Sequence, residues 1–121
     1  MSKPETGPAR IDYVELPSLT AHELTRAFYA KAFGWDFTDY GADYAATTSG
    51  QVNVGLNGTS DDSISAPLPV VRVSDLEAAQ DAVLAAGGVL AKPIYAFPGG
   101  RRFHFIDPSG SELAVWQVVE E

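Results

Sequence analysis

The sequence predicts an α+β fold built from two copies of one β-α-β-β-β unit. Three observations carry this. A strand-helix-strand-strand-strand order of signals runs through the chain twice. Thr20 with Glu23 and Ser74 with Glu77 have the spacing of a capping box and mark a helix start at matching points. Each helix pattern then stops at glycine, Gly34 in one case and Gly87-Gly88 in the other, before three short strand candidates. Neither unit buries a sheet face alone, so the two should pair into one curved, cup-shaped mixed sheet with helices outside.

In chain order, residues 1–10 are polar with Pro4 and Pro8 and read as a flexible tail. Unit one is expected over 11–57. Ile11–Leu16 is its first strand, and Leu24, Ala27, Phe28 and Ala32 recur at helical spacing as the stripe facing a core. Asp36–Tyr40, Tyr44–Thr48 and Gln51–Leu56 are the further strands, separated by Gly41 and Ser49-Gly50. Residues 58–66 are small and polar and read as a linker. Unit two is expected over 67–118, with a strand at Pro67–Val73 and a helical stripe of Leu76, Ala79, Val83 and Leu84. Strands follow at Val89–Lys92, Arg102–Ile106 and Glu112–Val118, with Tyr95–Gly100 as an exposed loop. Together 11–118 make one domain.

Composition narrows the function. The 121 residues carry a formal charge of −8, from 16 acids against 8 bases, and binding phosphates needs a positive stripe. Neither a nucleic-acid nor a membrane partner is expected. With no cysteine there is no disulfide scaffold, thiolate nucleophile or thiolate metal site. No apolar run approaches the roughly 18 residues of a transmembrane helix, and the start of the chain has no signal-peptide core. The expected location is cytoplasmic.

The stretch richest in chemistry is Arg101–Gln117. Asp107-Pro108-Ser109-Gly110 supplies a tight turn between two strands. Alternation places Arg102, His104 and Ile106 on one face, and Glu112, Ala114 and Trp116 on one face of the returning strand. An imidazole near a carboxylate suits acid–base chemistry near neutral pH, its ordinary pKa being about 6.5. A cross-strand bond that only staples the hairpin is the plainer alternative for His104 and Glu112. Likewise Trp35 and Trp116 can be core or interface residues, and Gly99-Gly100-Arg101-Arg102 lacks the strand-to-helix context of a phosphate loop. His22, in the first turn of a helix, is expected to be exposed.

The tandem pattern, the segment AFYAKAFGW and the terminal FIDPSGSELAVWQ resemble the glyoxalase/bleomycin-resistance/dioxygenase group, the vicinal oxygen chelate superfamily, over about Ile11–Gln117. The resemblance implies a cupped sheet with one small-molecule site, and a homodimer. It does not select a reaction, since the group spans isomerases, lyases, ring-cleaving dioxygenases, antibiotic-modifying transferases and drug-sequestering proteins. It also implies metal-ligand positions that here hold Tyr13, Leu68 and Ala114, while Gln51–Leu56 contains no His, Asp or Glu. The expectation is therefore a metal-free site with no cofactor. By the same resemblance and the strand parity, the cup is lined by Tyr13, Glu15, Arg102, His104, Glu112 and Trp116, with Tyr95 and Phe97 available for stacking. His104 falls where antibiotic-modifying members contact their ligand. His104 and Glu15 are the candidate catalytic residues, and Tyr13, Arg102, Glu112, Trp116, Tyr95 and Phe97 the candidate ligand contacts. The leading expectation is binding of a small organic molecule. The alternatives are a lyase, isomerase or dioxygenase-type enzyme using His104 with Glu15 and Glu112 or an irregular metal site, and a non-catalytic interaction domain.

Overall fold

A computed structural model describes residues 9–119. The expected tail, 1–10, lies outside these residues except at its end, where Arg10 already belongs to the first strand. The order is β1 (Arg10–Pro17), α1 (His22–Phe33), β2 (Thr38–Asp39), β3 (Tyr44–Ala46), β4 (Asn53–Asn57), β5 (Leu68–Arg72), α2 (Leu76–Ala85), β6 (Val89–Phe97), β7 (Gly100–Ile106) and β8 (Glu112–Val118). The fold is α+β, and β-α-β-β-β occurs twice, as the sequence predicts. Two compact units result, one of Asp12–Leu68 and one that starts at Pro69 and takes in Ile11. The segment read as a linker belongs with the first. Asn57 holds it there, its amide nitrogen donating to the Asp62 carbonyl at 2.8 Å and its amide oxygen accepting from the Thr59 backbone and hydroxyl.

In the first unit β1 and β4 run parallel, β4 and β3 antiparallel, and β3 and β2 antiparallel. Opposed residues share a face of a sheet. Tyr13, Glu15, Gly55, Asn57 and Tyr44 therefore make a polar face, and Val14, Leu16, Val54, Leu56 and Ala45 the apolar one. Helix α1 differs from expectation at both its cap and its stripe. It is capped at Ala21 with no side-chain bond, not at Thr20. Leu24 and Phe28 are 76% and 59% exposed, and no residue of the helix is fully buried. The half-buried side is Thr25, Arg26, Tyr29 and Ala30. The reason lies in the aromatic run that follows. Trp35 stacks on Tyr29 with centroids 5.1 Å apart and planes 10° apart, and Arg26 pairs with Asp39 at 3.0 Å, which turns that side inward. Gly34, at φ 71°, ends the helix in the left-handed region that glycine enters without a Cβ clash.

In the second unit β5 and β8 are parallel, while β8–β7 and β7–β6 are antiparallel. The cap of α2 is Asp75, one residue beyond the expected Ser74, and its carboxylate accepts from the Ala78 backbone at 3.0 Å. Gln117 accepts from the Leu76 backbone at 2.9 Å, tying β8 to the same helix start. Leu76, Phe103 and Val115 form the core, with Val71, Val73, Ala79, Val83, Leu90, Ile94 and Phe105 packed around them. At the turn Asp107 accepts from the backbones of Ser109 and Ser111 at 2.9 and 3.0 Å, which fixes the β7–β8 register. Strand β6 is longer than expected. Tyr95 and Phe97 lie in it rather than in an exposed loop, because two register shifts, between Leu90 and Lys92 and between Lys92 and Tyr95, let the strand continue through Pro93.

Phe103 has no solvent exposure and anchors this core. Phe103→Ala should lower the stability of the protein by about 3–5 kcal/mol, read as a shifted urea midpoint.

Candidate functional site

Two polar clusters stand out, one in each unit. In the second, the β7–β8 ladder sets Arg102 opposite Trp116 and His104 opposite Ala114, as the strand parity predicts. Each of the two register shifts in β6 inserts one residue against β7. Lys92 thereby opposes His104 and Tyr95 opposes Arg102, so both lie on the His104 face although they are three residues apart. His104 is fully buried. Its Nε2 lies 3.1 Å from the Tyr95 hydroxyl, and its Nδ1 lies 2.8 Å from Glu112 Oε2. Arg102 Nε donates to the Tyr95 oxygen at 2.5 Å, and its guanidinium lies over the Tyr95 and Phe97 rings at 5.6 and 5.8 Å. Phe97 and Trp116 meet at 6.2 Å, and Arg72 stands over Trp116 at 5.3 Å.

The donors and acceptors fix the protons. The Glu112 carboxylate can only accept, so His104 Nδ1 carries a proton and donates. Arg102 donates to the Tyr95 oxygen, and the neutral imidazole, protonated at Nδ1, accepts from the Tyr95 hydroxyl at Nε2. Burial holds its pKa below the usual imidazole value, opposed by the Glu112 bond and reinforced by the positive charges of Arg102 and Lys92. Arg101 takes no part. It forms a bidentate pair with Glu77 at 2.6 and 3.0 Å, which leaves the Gly-Gly-Arg-Arg run without a phosphate cradle.

In the first unit Glu15 is 2% exposed. Tyr44 donates to its Oε2 at 2.9 Å and Asn57 to its Oε1 at 3.0 Å. Burial, then the Glu15 charge, push the Tyr44 pKa far above that of an ordinary phenol, so it stays a donor. Tyr13 lies 2.5 Å from Tyr44 and, since the Tyr44 proton goes to Glu15, donates to it. A Cβ at Gly55 would overlap both hydroxyls, and only glycine leaves room for the pair. Sequence reasoning missed Tyr44 and Asn57. The signal available was parity across β3 and β4, which puts both on the Glu15 face. His22, expected to be exposed, is half-buried with its Nδ1 2.7 Å from the Ser18 hydroxyl.

Of the candidate residues, the structure joins His104, Tyr95, Arg102 and Glu112 directly, with Phe97 and Trp116 beside them. Tyr13 and Glu15 are linked through Tyr44 within the other unit. The positions that the resemblance gives to metal ligands do not fit a metal. Leu68 and Ala114 are buried and apolar, and the Tyr13 hydroxyl bonds to Tyr44. Among the described residues no group of three or more His, Asp or Glu side chains is placed to hold an ion, which leaves an irregular site of His104 with Glu15 or Glu112 without support.

Comparison with known proteins agrees with this architecture. The "Putative glyoxylase CFP32" of Mycobacterium bovis is 28% identical over 126 residues, covering 88% of this chain and 45% of the relative, so the chain spans less than half the length of that protein. The Mn(II)-bound glyoxalase from Novosphingobium aromaticivorans superposes with a TM-score of 0.62 at 25% identity, over 88% of this chain and 38% of that one. Methylmalonyl-CoA epimerase from Mycobacterium tuberculosis shares the fold, with a TM-score of 0.73 at 14% identity over 91% and 88% of the two chains. Among the described residues no helix is long and apolar enough to cross a membrane. The profile that matches residues 10–115 is that of the Glyoxalase/Bleomycin resistance protein/Dioxygenase superfamily, and the chain belongs to that superfamily.

Proposed function

We propose that this protein binds a small organic molecule at the polar and aromatic face of its second unit, with His104 as the centre of that site. The observation that carries the reading is the fully buried imidazole bonded to Tyr95 and Glu112, with Arg102 against Tyr95 and the rings of Phe97 and Trp116 alongside. A few fixed polar groups among aromatic walls suit a small flat ligand better than a macromolecule. Superfamily membership supports it, since the relatives named above are a glyoxalase and an acyl-CoA epimerase. Tyr13 and Glu15 form a second polar set, held in place by Tyr44 and Asn57, and Glu15 is the proposed acceptor there.

Binding is metal-independent on this reading, because the donor set is wrong for an ion. The protein is a cytoplasmic homodimer, and the exposed Leu24 and Phe28 on one face of α1 supply apolar surface for a second copy to cover. Native mass spectrometry of protein purified without chelators should give twice the chain mass and no bound transition metal. A monomer, or near one metal per chain, would remove the corresponding part of the proposal.

A thermal-shift screen of small aromatics, antibiotics and glutathione thioadducts should yield a stabilising ligand. His104→Gln should then weaken its affinity about tenfold or more, because Tyr95 and Glu112 lose the buried partner that positions them. Unchanged affinity with only about 1 kcal/mol less stability would reduce His104 to a staple of the hairpin.

The buried neutral imidazole also sets a pH dependence. Its folded pKa lies below its unfolded one, so the unfolded chain takes up the proton first as pH falls. This contribution to stability is full above about pH 6.5 and declines as pH drops through that value. Urea midpoints of the wild type should fall from about pH 7 towards pH 5, and those of His104→Gln should fall less steeply.

A further inference from the structure

The hydrogen-bond chain through His104 has a direction. Arg102 Nε donates to the Tyr95 oxygen, the Tyr95 proton points at His104 Nε2, and His104 Nδ1–H points at Glu112. A hydroxyl in reach of a base, with that base oriented by a carboxylate, is the general arrangement of an activated oxygen nucleophile. Tyr95 is half-buried at one end of the chain and Glu112 is exposed at the other, whereas Arg102 and His104 are buried. We propose that Tyr95 is a primed nucleophile that accepts an acyl group from activated carboxylic esters, with His104 as its base and Glu112 and Arg102 as positioning residues. The inference rests on the reading of the His104 cluster as the functional site.

The step balances within these residues. The Tyr95 oxygen attacks the ester carbonyl carbon, the C–O bond to the leaving alkoxide or phenoxide breaks, and the Tyr95 proton passes to His104 Nε2. Glu112 stabilises the imidazolium that forms, and Arg102 steadies the phenolic oxygen as its charge develops. The groups facing His104 are Tyr95 and Lys92 on β6, Arg102 on β7 and Glu112 on β8. Burial first, and then the cationic members, favour a neutral resting imidazole, which is ready to accept a proton. The β6 register shifts are what bring Tyr95 here, since an unbroken strand would point it or Lys92 to the opposite face.

The test needs no cognate ligand. Purified protein is treated with 4-nitrophenyl acetate, 4-nitrophenolate release is followed, and the acetylated residue is located by peptide mass spectrometry. Tyr95 should be acetylated at least about tenfold faster than Tyr40, which is 56% exposed and serves as an ordinary phenol in the same chain. Tyr95→Phe should remove that adduct and the burst of 4-nitrophenolate. In the wild type the labelling rate should level off once His104 is neutral, whereas in His104→Gln it should be about tenfold slower at pH 7 and keep rising towards the phenol range near 10. Because a buried imidazole is a risky position to change, Glu112→Gln provides a second variant. Its side chain is 42% exposed, and the loss of its charge should slow labelling severalfold in a folded protein. Labelling of Tyr95 no faster than Tyr40, or a wild-type pH profile retained in both variants, would overturn the proposal. A ligand screen that fails while Tyr95 labels rapidly would count against the binding reading alone, and the converse would count against the nucleophile alone.

Discussion

A fully buried imidazole has two ring nitrogens to satisfy and no water to do it, and leaving either unpaired costs about 1–3 kcal/mol. Much of the second unit follows from that requirement at His104. Glu112 reaches one nitrogen because the Asp107–Gly110 turn fixes the register in which β8 returns along β7. Tyr95 reaches the other because β6 twice inserts an extra residue against β7. The alternation of β7 keeps this polar face compatible with a core. Arg102 and His104 point one way while Phe103 and Phe105 point the other, towards Leu76 and its neighbours on α2.

The first unit answers a similar demand with different residues. There the buried group is a carboxylate, Glu15, and the neutral side chains of Tyr44 and Asn57 donate to it. Asn57 does double duty, since the same amide secures the segment after β4. Tyr44 in turn carries Tyr13, and the pair of hydroxyls occupies the space above Gly55. One polar face is thus organised by an imidazole and the other by an acid, although the two units share an order of elements.

The order of elements, the β7–β8 hairpin and the company of Arg102, His104, Glu112 and Trp116 were all legible in the sequence. They depend on local turn chemistry and on the two-residue period of a strand, both of which leave a direct mark. The part played by Tyr95 was not legible. A bulge breaks the period, and Pro98-Gly99-Gly100 reads as the end of a loop when it is a tight link between long strands. Helix caps moved by one residue each: at α2 Ser74 and Asp75 are neighbouring residues that can both cap, and at α1 the cap is Ala21, which has no side-chain acceptor to mark it. On α1 the apolar stripe of Leu24 and Phe28 misled, since the aromatic run from Tyr29 to Phe37 claimed the adjacent side of the helix.

The irregular course of β6 has a further consequence. Among the described residues β6 pairs with β7 on one side only, and a strand of nine residues with an open edge is a template on which other chains can add. The two breaks in register interrupt its row of backbone donors and acceptors, Pro93 removes a donor outright, and Lys92 places a charge within the strand. The distortion that brings Tyr95 to His104 therefore also protects this edge against strand-by-strand aggregation. Straightening β6 to regularise its pairing would be expected to cost solubility along with the site.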